Sequence, residues 1–188
     1  MFVKVKDKRI YVKEGMLDLS NMQIDTISQI KGLKKLITLK GLILFNNDIS
    51  AINNLDHLTQ LLKLNLYGNQ IKEIKGLENL KSLQVLYLSN NYITDIKGLD
   101  QLLNLQVLSF EDNQISKIQG LNNLTKLIEL NLYGNLITVP EGLEFLLSLK
   151  RLRIGNNPIP HDIILECGGI NTQGFALNIK KFIEYTVA

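Results

Sequence analysis

Apolar residues in this chain return on two beats. Leu-x-Leu pairs carry the two-residue period of a strand, and the Leu and Ile that follow them recur every third residue, the beat of a tight 3₁₀-like coil. Together they form the pattern Leu-x-Leu-x-x-Asn-x-Ile. It runs through Leu42/Leu44/Asn47/Ile49, Leu64/Leu66/Asn69/Ile71, Leu86/Leu88/Asn91/Ile93, Leu108/Phe110/Asn113/Ile115, Leu130/Leu132/Asn135/Ile137 and Leu152/Ile154/Asn157/Ile159. The asparagines stand 22 residues apart each time, and an earlier copy, Leu17/Leu19/Met22/Ile24, precedes the next by 25. That excess is one more triplet, because Ile24, Ile27, Ile30, Leu33, Leu36 and Leu39 keep the three-residue beat. Seven units result, each predicted to be one short strand followed by an irregular return.

Two further leucine columns hold the same 22-residue register, Leu33 to Leu143 and Leu39 to Leu149. Just before the first of them stand Gly32, Gly76, Gly98, Gly120 and Gly142, with Asn54 in the remaining place. Gly and Asn are the residues that accept a positive φ, so this column predicts a turn bending the same way in every unit. A single unit cannot bury its own apolar residues; stacked neighbours close the core and pair the backbone. The Asn column then acquires a task, since an amide both donates and accepts and a stacked ladder of amides can satisfy backbone groups where each strand ends.

At these positions the chain resembles the leucine-rich repeat family. The Ile-x-x-Ile-x-Gly-Leu segment is similar to the 22-residue class found in a protein-phosphatase regulatory subunit and in bacterial internalins. The resemblance covers roughly residues 16–160. The fold it implies is α/β: a right-handed leucine-rich repeat solenoid with a concave parallel β-sheet and a 3₁₀ or irregular convex side. Three regions are expected: an N-terminal β-hairpin cap over residues 1–15, seven repeats over 16–160, and a C-terminal helical cap over 161–188.

Both ends of a solenoid need covering. Phe2, Val3 and Val5, then Ile10, Tyr11 and Val12, flank a polar Lys6-Asp7-Lys8-Arg9 turn and predict a hairpin extending the sheet past the first repeat. Pro158 and Pro160 stop the pattern at the other end. Asp162 is expected to cap a short helix through Cys167, ended by Gly168-Gly169. A second helix over about 176–185 would turn Leu177, Ile179, Phe182 and Ile183 towards the last coil. This tail departs from the acidic, tyrosine-containing cap that often follows repeats of this class, so a specific partner does not carry over from the phosphatase subunit.

Composition narrows the classes. With 36 Leu and 20 Asn among 188 residues and 45% hydrophobic content, the chain is neither disordered nor a disulfide scaffold. No apolar run approaches the length of a membrane span, and residues 1–11 lack the long apolar core of a secretory signal. A single Cys167 forms no internal disulfide, and a cytoplasmic location is expected. The whole net charge of +3 is already present in residues 1–15, where Lys4, Lys6, Lys8, Arg9 and Lys13 outnumber Asp7 and Glu14. A nucleic-acid binder spreads its basic residues along a face, so none is expected as partner. The hairpin lysines are read as blunting an exposed edge strand.

Catalytic chemistry has no foothold. His57 and His161 lie coils apart without metal-ligand spacing, and His57 is expected to be solvated. Cys167 is read as packing, and no phosphate-binding glycine loop is present. No cofactor and no metal are expected.

The information lies instead at the strand positions the repeat leaves free, which alternate away from the core. Ile43, Phe45, Tyr67, Val85, Tyr87 and Val107 fall on four adjacent strands, spaced about 4.8 Å, and predict one apolar and aromatic patch on the concave face. Beyond it come Glu111, Asp112 and Glu129, then Tyr133, then Arg151 and Arg153, a gradation from acidic to basic that could orient a partner. The expected function is a monomeric, non-enzymatic scaffold that binds a protein or extended peptide on this face. The alternative is a regulatory subunit or module acting on an enzyme such as a phosphatase or GTPase.

Overall fold

The computed structural model describes residues 1–185. Its main sheet has seven parallel strands in sequence order: β3 (Met16–Asp18), β4 (Gly41–Ile43), β5 (Lys63–Asn65), β6 (Val85–Tyr87), β7 (Val107–Ser109), β8 (Glu129–Asn131) and β9 (Arg151–Arg153). The central leucine of each strand pairs with its successor, from Leu17 with Leu42 to Leu130 with Leu152. The register follows from the period, because one full coil returns the chain to the same place one strand over. Each strand is three residues long, the first Leu of the Leu-x-Leu pair and its two neighbours, before the chain turns towards the asparagine. The first coil, with its extra triplet, holds the 3₁₀ helices Ile27–Gln29 and Leu33–Lys35. Later coils return through single tight turns, such as Leu80 N–H to Leu77 and Leu83 N–H to Leu80.

The leucine and isoleucine columns form one continuous core along the solenoid, with Leu42, Leu64, Leu86 and Leu152 wholly inaccessible. The predicted turn column has positive φ throughout, from +56° at Asn54 to +97° at Gly32. The asparagines join neighbouring coils. Asn91 Oδ1 accepts from Ile71 N–H, one coil back, at 3.0 Å, while its Nδ2 donates to Leu66 O and Leu88 O at 3.0 Å each. Asn47, Asn69, Asn113, Asn135 and Asn157 repeat this arrangement with the equivalent groups. Among the described residues no buried side-chain nitrogen or oxygen lacks a partner.

The ends depart from the sequence expectation in four respects. The hairpin, β1 (Phe2–Val5) paired with β2 (Lys8–Tyr11), is a separate two-stranded sheet and does not extend the main one. Its second edge is taken by Lys31, whose N–H and C=O both bond to Lys4 at 2.9 Å. The ribbon therefore lies against the turn side of the first coil, with Val3 and Val5 buried over the core. At the other end, helix α1 (His161–Glu166) begins after Pro160, and Asp162 sits inside its first turn without capping it. Helix α2 (Ile179–Glu184) starts later than predicted because Asn178 caps it, its Oδ1 accepting from Lys181 N–H. Leu177 is consequently exposed, whereas Phe182 is buried and Ile179 and Ile183 are half-buried. Between the helices, residues 170–176 bridge to β9, with Ala176 N–H bonding to Leu152 O at 2.9 Å. That contact covers the sheet edge which β9 would otherwise expose.

Candidate functional site on the concave sheet face

Alternation along each three-residue strand sends the leucine inward and its neighbours onto the concave face. Ile43, Phe45, Tyr67, Val85, Tyr87 and Val107 all sit there, half-buried. Phe45 and Tyr67, one coil apart, stack with centroids 5.1 Å apart and ring planes 23° from parallel. Val85 pairs directly with Val107, and Asn65 with Tyr87. Lys63 brings its ammonium to 5.5 Å from the Tyr87 ring centroid, a cation–π contact that leaves the ring at the surface. Ser89 and Ser109 fill the space between patch and charges and hydrogen-bond to each other at 2.7 Å.

The charged half differs from the expected gradation. Arg153 reaches back across β8 to Glu111, at 2.7 Å, and its guanidinium lies 4.0 Å from the Tyr133 ring centroid. Its Nε donates to Gln173 O at 2.9 Å, and Asn131 Nδ2 donates to the second Glu111 oxygen at 2.9 Å. Arg151 stands opposite Glu129 in the sheet register and pairs with it at 3.2 Å. Acids and bases two strands apart are within reach of an arginine, so they neutralise one another instead of presenting separate acidic and basic zones. Arg153, Glu111 and Tyr133 thus hold the C-terminal half of the face in shape, while Arg151 stays largely exposed.

One residue that the sequence pattern did not single out completes the face. Phe175, from the segment bridging β9, comes within 5.3 Å of the Arg151 guanidinium. With Tyr87, Val107, Ser109, Asn131 and Arg151 it lines a cavity of about 170 Å³ on the sheet. No repeat position marks Phe175; its only signal was an aromatic residue in a tail of undetermined path.

Outside this face neither His57 nor Cys167 is placed as a reactive group. His57 is half-buried, contrary to the solvated placement expected, because its Nε2 donates to Leu33 O in the preceding coil at 3.1 Å. Cys167 is buried, and burial pushes its thiol above the ordinary value, the opposite of what a nucleophile needs. No helix among the described residues is long and apolar enough to cross a membrane.

A family model described as leucine-rich repeats in two copies matches residues 59–101 and 103–146. The crystal structure of internalin C2 from Listeria monocytogenes is similar at 32% sequence identity over 78% of this chain and 73% of that one, with a TM-score of 0.58. Internalin F from the same organism shares the fold at 24% identity, with a TM-score of 0.56, over 75% of this chain and 48% of its own. No curated protein matches the sequence.

Proposed function

This chain belongs to the leucine-rich repeat family, whose members generally serve as protein-interaction scaffolds, and we propose that it is a non-enzymatic one that binds a protein or extended peptide on its concave face. The carrying observation is the stacked Phe45–Tyr67 pair, continued by Tyr87, Val85 and Val107. These side chains occupy positions that neither core packing nor the asparagine ladder requires. A half-buried aromatic patch that still faces solvent is typical of interaction sites, with Tyr favoured at energetic hot spots. The cavity between Tyr87 and Phe175 offers a seat for one apolar side chain of the partner, and the ion pairs beside it provide a polar rim. A reducing compartment such as the cytoplasm belongs to the same proposal, since the lone Cys167 is buried and unpaired.

The test is affinity capture with wild type, Tyr67→Ala/Tyr87→Ala and Tyr92→Ala side by side. Tyr92 is exposed and follows the ladder residue Asn91, off the concave columns. The double variant is expected to lose its partner at least about tenfold, while its melting midpoint falls only about 2–4 °C per kcal/mol of lost ring contact. The Tyr92 variant is expected to bind as wild type. Retention of the same partner by the double variant would move the site off the concave face. A catalytic chain among the captured proteins would give the scaffold a regulatory role.

A further inference from the structure

The outer face of the N-terminal ribbon carries charges that neither the core nor a strand edge explains. Val3 and Val5 turn inward, so Phe2 and Lys4 face out together with their register partners Tyr11 and Arg9. Lys31 joins through its antiparallel bridge to Lys4. Residues paired across a ladder project to the same side, so Arg9, Lys4 and Lys31 form a row of three cations. Beside the row lie the Phe2 and Tyr11 rings, 5.7 Å apart, both substantially exposed. Among the described residues, none of the three cations takes part in an ion pair.

Like charges directly opposite one another destabilise a sheet. Edge protection accounts for Lys8 and Arg9 on β2, but β1 is paired on both sides, so it does not account for Lys4 or Lys31. The wider charge distribution points the same way. Residues 1–40 hold nine basic and four acidic side chains, so residues 41–188 hold twelve basic and fourteen acidic. All of the excess positive charge therefore belongs to the first coil and its cap, where Lys34 and Lys35 lie on the Leu33–Lys35 turn and Lys40 packs against Gly15.

We propose that this face docks on an anionic phospholipid bilayer, its cations against the headgroups and Phe2 and Tyr11 at the interface. Eight of the nine basic residues are lysines, compact point charges suited to a diffuse array of phosphates rather than to bidentate capture of a carboxylate. Aromatic side chains next to lysines are the usual furniture of the membrane interface. Stable peripheral binding takes two signals, a basic cluster and an apolar element, and both are present here. A single-stranded nucleic acid would instead use open rings for base stacking, whereas Phe2 is overlaid by the Arg9 guanidinium at 5.1 Å. A duplex, held through its phosphates, is separated from a bilayer by comparing the two directly. This inference is independent of the concave face.

The experiment is co-sedimentation of the full chain with phosphatidylcholine vesicles, with and without phosphatidylserine. Binding is expected only with phosphatidylserine, and it should weaken as salt rises. Each basic residue at such a surface contributes about fivefold, so Lys4→Gln/Arg9→Gln should lower partitioning about thirtyfold. Its melting midpoint should change little, because relieved repulsion offsets the lost Arg9–Phe2 contact. Phe2→Ala/Tyr11→Ala should weaken binding without changing its salt dependence. Equal binding with and without phosphatidylserine, or undiminished binding by Lys4→Gln/Arg9→Gln, would overturn the proposal. Binding to duplex DNA as strong as to vesicles, with the same dependence on Lys4 and Arg9, would replace the bilayer with a general polyanion.

Discussion

Gly142→Ala is expected to destabilise the protein by about 2–5 kcal/mol, while Gly32→Ala, at nearly the same backbone angle, should cost only about 1–2 kcal/mol. Both glycines are left-handed, at φ +88° and +97°, so any side chain there bears a similar conformational penalty. They differ in what a Cβ would meet. At Gly142 it would come within 2.1 Å of Ile118 O, a main-chain atom of the preceding coil. At Gly32 the nearest atom is Phe2 O, at 3.5 Å, an ordinary contact. Relief at Gly142 requires two stacked coils to separate, and the parallel ladder that fixes their spacing resists it. Denaturant unfolding of the two variants measures the difference directly. Equal losses would mean that the coils yield freely and that the column serves only backbone conformation. Asn54 holds the same turn at φ +56°, so the backbone angle alone admits a side chain.

That turn column was legible because the repeat makes every coil a replica, so five glycines and one asparagine at one spacing report on six places at once. The strands, their register and the buried leucines were readable for the same reason. Legibility ended where replication did. The hairpin pattern was local and correct, but its second partner, Lys31, lies in the first coil's turn, and nothing local distinguishes that edge from β3. In the tail, the path of residues 170–177 depends on which backbone groups β9 leaves open, so Phe175 was invisible as a wall of the concave cavity. The side chains of the face were placed by alternation, yet their mutual contacts were not. Arg153 and Glu111 are 42 residues apart in sequence and two strands apart in space, and only the guanidinium's reach decides that they meet. An expected gradient of charge thus became two closed pairs, Arg153–Glu111 and Arg151–Glu129, with Asp112 outside them, and the aromatic half remained as the part of the face open to a partner.

The ladder yields the other large effect, and a change of a single atom tests it. Asn91→Ala should cost about 1–3 kcal/mol, the range for stranding a buried polar group, because Ile71 N–H loses its acceptor, whereas Leu66 O and Leu88 O keep Asn69 and Asn113 as donors. Asn157→Ala should cost less, since Asn157 is only half-buried at the end of the array and water can replace the lost amide. Asn91→Asp is more instructive. Its carboxylate can still accept from Ile71 N–H, but it has no hydrogen for the two carbonyls and places a charge against them in the core. A loss of about 3–5 kcal/mol at neutral pH is expected, as for an uncompensated buried charge. Burial and the facing carbonyl oxygens both disfavour the ionised form, so the folded-state pKa of this Asp must be raised above its unfolded value. The variant's deficit relative to wild type should therefore shrink as pH falls through the raised folded-state value. It should level off below about 3.9, the ordinary Asp value, where the protonated acid donates to one carbonyl again. Denaturant melts of both proteins across that range would show the two stability curves converging on acidification. Parallel curves would mean that the side chain at position 91 escapes to solvent and that the ladder does not join the coils.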